Sequence, residues 1–145
     1  MSDEFQLSAV DGGVPAREQL LPYGRRTVVE EDIAAVVKVL RSDWITTGPK
    51  VEEFEGALAD IVGAAHAVCF SSGTAALHAA VFAAEIGAGD EAATSSLTFC
   101  ATANCLLYEH ATPVFADVDT DTLTLDPEHA ASRITPRTKA ALLVD

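Results

Sequence analysis

The segment best suited to chemistry is Phe70-Ser71-Ser72-Gly73-Thr74-Ala75-Ala76-Leu77. An apolar run enters a small, hydroxyl-bearing turn, and a helical pattern begins at once. The first N–H groups of a helix lack partners within it and sit at the positive end of its dipole, so such a turn can receive an anion. Gly73 lets a phosphate come close to the backbone, and Ser72 or Thr74 adds a hydroxyl donor. The same residues also read as a plain helix cap. They form neither a P-loop, since no Gly-Lys-Ser/Thr follows, nor a nucleophile elbow, since G-x-S-x-G is absent.

A second stretch, Ser96-Leu97-Thr98-Phe99-Cys100-Ala101-Thr102-Ala103-Asn104, follows the next apolar run. Phe99 is placed to lie against an aromatic ligand, and it also suits a core position. The third is Trp44-Ile45-Thr46-Thr47-Gly48-Pro49-Lys50, a polar loop around a lone Trp. His66, His78, His110 and His129 show no metal-ligand spacing and are assigned no role. Asp117, Asp119 and Asp121 resemble the start of a calcium loop, but the Gly and closing Glu do not follow, so they read as a solvated strand exit. No metal is expected.

These features must be positioned by α/β elements. Thr27-Val28-Val29-Glu30 has capping-box spacing, and Ile33, Val36, Val37 and Leu40 recur at helical intervals, predicting a helix over 29–42. Pro49 suits the first turn of a second helix, whose stripe is Val51, Phe54, Leu58, Ile61 and Val62 and whose stop is Gly63. His66 to Phe70 reads as a short buried strand, and Ala75 to Ile86 as a helix leaving through Gly87-Ala88-Gly89-Asp90. A strand is expected over 91–95, a helix over 99–109, a strand over 112–116 and a short helix from Pro127, capped by Asp126. The last strand is expected over 139–144. Strands alternating with helices at these intervals mean a parallel sheet covered by helices.

The 145 residues fit one domain, preceded by a loosely docked arm over 1–21 that carries Gly12, Gly13 and Pro15. Net charge is -13, with 22 acidic against 9 basic residues, which disfavours nucleic acid and anionic membrane as partners. An anion must therefore be bound by local, preorganised donors. The most apolar window, Ala75 to Gly87, is too short to span a bilayer and contains His78 and Glu85. With no secretory pattern at the start, the expected location is cytoplasmic. Cys69, Cys100 and Cys105 form no paired motif and read as small buried hydrophobes. The final run, Ala140-Ala141-Leu142-Leu143-Val144-Asp145, reads as a buried strand whose mate and covering helix should follow, so the sheet is expected to be incomplete.

Taken in order, Pro22-Tyr23-Gly24, the helix leading to Trp44, TTGPKVEEFE, SSGTAALHAA, GAGDE, LTFCATANCLLY, PVFADVDTDTLTLDP and ITPRTKAALLVD resemble the amino-terminal part of the DegT/StrS family of nucleotide-sugar aminotransferases. The resemblance runs from about Leu21 to Asp145. It implies an α/β fold: the N-terminal part of a fold-type-I PLP-transferase large domain, over residues 22–145. It further implies that Gly73 and Thr74 hold the phosphate of pyridoxal 5'-phosphate beside Ser72, and that Phe99 stacks on the pyridine ring. Tyr23, Thr46 and Thr47 would approach the nucleotide-sugar substrate. The family implies an amino-acid donor, usually glutamate, and a homodimer.

In the family the aspartate at the pyridine nitrogen and the Schiff-base lysine come later than the segment matched by Asp145. Lys38, Lys50 and Lys139 are the lysines here, and none aligns with that position. The resemblance thus implies that these residues alone do not transaminate. Two alternatives stand beside it: a non-catalytic remnant or partner of a longer homologue, and the family's dehydratases, which carry histidine in place of the lysine.

Overall fold

The computed structural model describes residues 8–19, 21–22, 24 and 26–144. They fall into two compact units that divide between Pro49 and Lys50. The first unit holds a short 3-10 turn, Ala9–Asp11, and helix α1, Glu30–Leu40. The helix begins one residue after the expected 29, but the cap expected at Thr27 is displaced. The cap is Val29, whose N–H donates to the Asp32 carboxylate at 3.0 Å. Asp32 reaches the free N–H at the start of α1, which Glu30, as its first residue, does not. Ile33, Val36 and Leu40 share a face as their spacing requires, but all three are exposed.

The second unit contains α2 (Pro49–Val62), α3 (Gly73–Ala83), β1 (Glu91–Ser95), α4 (Ala101–Tyr108), β2 (Thr112–Ala116), α5 (Pro127–Ser132) and β3 (Thr138–Leu142). The sheet is parallel with order β2-β1-β3, so β1 is central. The crossovers from β1 to β2 and from β2 to β3 run in opposite directions across it. Right-handed connections therefore place α4 and α5 on opposite faces. Alternation agrees: Ala92 packs with Val81, Cys105 and Leu106 from the helices, with Leu77 against them, while Val114, in register with Ala93, lies near Ser132 and Arg133.

All five residues of β1 are buried, three of them polar or charged. Each polar side chain has a partner. Glu91 is held by Thr135 Oγ1 and by Arg137, Thr94 Oγ1 donates to the Leu142 carbonyl at 2.9 Å, and Ser95 Oγ donates to the Leu97 carbonyl at 3.2 Å. Burial without these bonds would cost on the order of 1–3 kcal/mol per group. The strand is thus tied at its start to the turn before β3 and near its end to the last residue of β3.

Most expected elements form. Gly63 stops α2 with φ 68°, the left-handed conformation that suits glycine. Asp126 caps α5 by accepting from the N–H groups of Glu128 and His129. The strand expected over 66–70 does not form. These residues have no ladder partner, and Val68 and Phe70 are exposed. An apolar run becomes a strand only where a neighbour accepts its backbone hydrogen bonds. Here the Cys69 N–H donates instead to Glu55 Oε1 at 2.7 Å. The stripe on α2 is likewise uncovered, all five of its residues being exposed; the one buried residue of the helix, Ala59, lies outside it.

The cysteines divide. Cys105 is buried, but Cys69 and Cys100 are exposed, which corrects the expectation of three buried thiols. Cys69 lies in the unpaired 66–70 segment and Cys100 in the loop before α4, so neither has an element packed over it. Desolvation raises the Cys105 pKa above its ordinary value, so this thiol resists forming the nucleophilic thiolate. Iodoacetamide should therefore label Cys69 and Cys100 in the native 145-residue chain and reach Cys105 only on unfolding. Peptide mass spectrometry showing equal labelling rates at all three would contradict this packing.

Candidate functional site

The helix order fixes one end of the second unit as its chemical end. Helix α4 leaves the carboxyl end of β1 and returns to the amino end of β2, so its first turn lies at the carboxyl ends of the strands. Helix α3 feeds the amino end of β1, so it runs the same way and also starts at the carboxyl end. The two helices pack together. In parallel sheets this is where ligand-binding groups gather.

Helix α3 begins at Gly73, two residues earlier than its apolar pattern suggested. Ser72 is the cap: its Oγ accepts from the Ala75 N–H at 3.2 Å, and its carbonyl accepts from the Ala76 N–H at 3.1 Å. The cap function is thus real. It does not consume the site, because among the described residues the Gly73 and Thr74 N–H groups have no partner. The Ser72 hydroxyl proton also remains free to donate. A Cβ built on Gly73 would meet nothing within 4 Å, so the space beside these donors is open. Gly73 and Ser72 are exposed and Thr74 is half-buried.

Phe99 stands in the loop between β1 and α4. Its carbonyl accepts from the Thr102 N–H at 3.0 Å, and the flanking Thr98 and Thr102 hydroxyls bond at 2.8 Å. The backbone is held while the ring is 74% exposed, so Phe99 is not core filler. An aromatic ring left in water beside a braced turn is a face available for stacking.

Thr46 and Thr47 belong to the first unit, in the loop after α1. Ser42 organises that loop, its Oγ donating to the Val39 carbonyl at 2.7 Å and accepting from the Trp44 N–H at 3.2 Å. Thr47 has φ 49°, and a Cβ on Gly48 would come within 2.8 Å of Trp44 Cβ, so the tight bend requires glycine there. Tyr23 lies outside the described residues.

The remaining polar clusters are structural. The Asp119 carboxylate accepts from the N–H groups of Asp121 and Thr122 and from the Thr122 hydroxyl, closing the bend after β2. The bonds from Thr122 and then Asp121 hold its pKa below the ordinary aspartate value. Among the described residues no group of His, Cys, Asp and Glu is arranged for a metal ion. No described helix is long and apolar enough to cross a membrane. One pair escaped the sequence reading. His78 and Glu109 meet at 2.6 Å although thirty-one positions apart, a spacing that no local pattern reveals.

Residues 26–145 match the DegT/DnrJ/EryC1/StrS aminotransferase family. The chain belongs to that family. It is 48% identical over 131 residues to the spore coat polysaccharide biosynthesis protein SpsC of Bacillus subtilis, covering 90% of this chain and 34% of SpsC. Spr1654 of Streptococcus pneumoniae, a sugar aminotransferase by its description, superposes in its PLP-form with a TM-score of 0.78 at 36% identity, over 83% of this chain and 31% of that one. An aminotransferase from Psychrobacter cryohalolentis superposes with a TM-score of 0.77 at 34% identity, over 84% and 32% of the two chains. The chain thus spans about a third of the length of these relatives. The family depends on pyridoxal phosphate, and Spr1654 is solved in PMP-form as well as PLP-form. The fold is the matching part of the fold-type-I aminotransferase architecture, with three parallel strands and flanking helices.

The residues at the start of α3 fit a phosphate monoester: two unpartnered N–H groups, one free hydroxyl proton and no Cβ in the approach. Gly73→Ala should leave melting within about 1 kcal/mol of wild type, since the added methyl meets no atom and alanine favours helix. It should nevertheless weaken pyridoxamine phosphate at least about tenfold in the family-length protein, or about 1.4 kcal/mol. Unchanged affinity in calorimetry would remove Gly73 from the cradle.

Proposed function

We propose that this chain provides the phosphate cradle and one ring face of the cofactor site in a PLP-dependent sugar aminotransferase. In this reading the enzyme moves an amino group from glutamate to a nucleotide-linked keto sugar. The observation that carries it is the pair of unpartnered N–H groups at Gly73 and Thr74, in a member of this family. Bound cofactor supplies an electron sink that makes the donor's amino group transferable.

This chain's residues bind and orient. Gly73 and Thr74 donate N–H groups to phosphate oxygens, with the Ser72 and Thr74 hydroxyls adding further donors. These preorganised dipoles act locally, so they hold an anion despite a net charge of -13. Phe99 offers its exposed face to the pyridine ring and keeps water from that side. Thr46 and Thr47, with Tyr23, contribute to the nucleotide-sugar side. Residues 1–21 serve as an arm, and residues 22–145 as the first portion of the catalytic domain. The reading includes a homodimer in the cytoplasm, without nucleic-acid or membrane partners.

No lysine among these residues takes the Schiff-base role, so residues 1–145 alone do not transaminate. A longer polypeptide that includes them should convert glutamate to 2-oxoglutarate and a nucleotide-linked keto sugar to its amino sugar, both detected by mass spectrometry. The isolated 145 residues should give neither product. Turnover by the isolated residues would refute the division of labour, and no amino sugar from the longer protein would refute the substrate class. Phe99→Ala should cost little stability, because the ring is mostly in water. It should weaken pyridoxamine phosphate about 2- to 10-fold, the equivalent of a lost stack of roughly 0.5–1.5 kcal/mol. An unaltered cofactor affinity and absorbance band would exclude that stack.

A further inference from the structure

Helix α3 carries the proposed phosphate donors but has little surface relief to fix where it lies. Ala75, Ala76, Ala79, Ala80 and Ala83 make much of it smooth, with Leu77 and Val81 its anchors toward Cys105 and Leu106. Helices lock along their axes by interdigitating ridges, and alanine ridges are shallow. A directional bond between α3 and its neighbour therefore has more to decide here than between ordinary helices.

That bond is His78 to Glu109. His78 Nε2 donates to Glu109 Oε1 at 2.6 Å, and the imidazole meets the Tyr108 ring edge-on with centroids 5.2 Å apart at 65°. Glu109 ends α4, and its carboxylate is largely shielded, with 24% of the side chain exposed. Among the described residues it is the only side-chain hydrogen bond between α3 and α4. The Glu109 backbone carbonyl also faces Gly87 in the chain leaving α3, 3.7 Å from where a Cβ there would stand. The pair borders an open, largely apolar depression of about 510 Å³ lined by Phe70, Ala75, His78, Ala79 and Phe82.

We propose that His78 is a positioning residue for cofactor binding: through Glu109 it sets the axial placement of α3 against α4, and so of the Gly73 and Thr74 donors against Phe99. The inference rests on the cofactor reading above. His78 touches no reacting atom. It acts by fixing the start of α3 relative to the start of α4, so that phosphate and ring are received together. A shift of α3 by a fraction of a turn would leave the fold intact and the donors misaligned.

The test uses the longer, family-length protein and compares affinity for pyridoxamine phosphate with that for pyridoxamine. The ratio isolates what the phosphate adds. His78→Leu and Glu109→Leu should each reduce this ratio about 3- to 10-fold, in the lower part of the range found for coupled neighbours. His78→Gln keeps a donor and should recover most of it. Pyridoxamine affinity should stay near wild type in all three. Losses shared equally by both ligands and tracking the melting temperature would overturn the proposal in favour of a merely structural tie. An unchanged ratio in the leucine variants would also overturn it. No phosphate advantage in the wild type would instead refute the cofactor reading, and this proposal with it.

Discussion

The structure depends on one constraint: β1 is a fully buried central strand made of small and polar residues. Ala92 and Ala93 let helices and neighbouring strands approach closely, while Glu91, Thr94 and Ser95 each need a partner once water is gone. For Glu91 and Thr94 the partners come from far along the chain, Thr135, Arg137 and Leu142, while Ser95 is satisfied two residues on by the Leu97 carbonyl. An apolar strand is held in register by packing alone. This one is held by more, because a shift would also orphan a carboxylate or a hydroxyl. Fixing β1 fixes the loop at its carboxyl end, and with it the exposed ring of Phe99.

In the proposed reading, local geometry is also what lets an acidic protein offer an anion site. The long-range field opposes phosphate, but a helix start presents its N–H groups at contact distance, where direction outweighs net charge. Ser72 satisfies one of these groups and leaves the two before it free. Capping and anion binding are therefore not rivals at this turn. The cap stabilises the helix whose remaining donors face outward.

Much of the fold was legible because its signals are local. The Gly63 stop, the Asp126 cap and the strand-helix alternation from Glu91 onward each need only a few adjacent residues, and each appears where read. What failed were inferences that depend on company. The run at 66–70 has strand composition but no accepting neighbour, Val29 with Asp32 displaced Thr27 as the cap of α1, and two of three cysteines lie exposed. The amphipathic stripes of α1 and α2 are present, yet their apolar faces are open in these residues. At the candidate site the turn and Phe99 carried recognisable local patterns. His78 and Glu109 did not, since only the packing of α3 on α4 brings them together.

The central claim is that the start of α3 receives a phosphate, and amide hydrogen exchange tests it most directly. In the family-length protein, pyridoxamine phosphate should slow exchange at the Gly73 and Thr74 amides far more than pyridoxamine does, while the Ala75 amide, already bonded to Ser72, should change little. Equal exchange at Gly73 and Thr74 with either ligand would mean that the turn is only a cap.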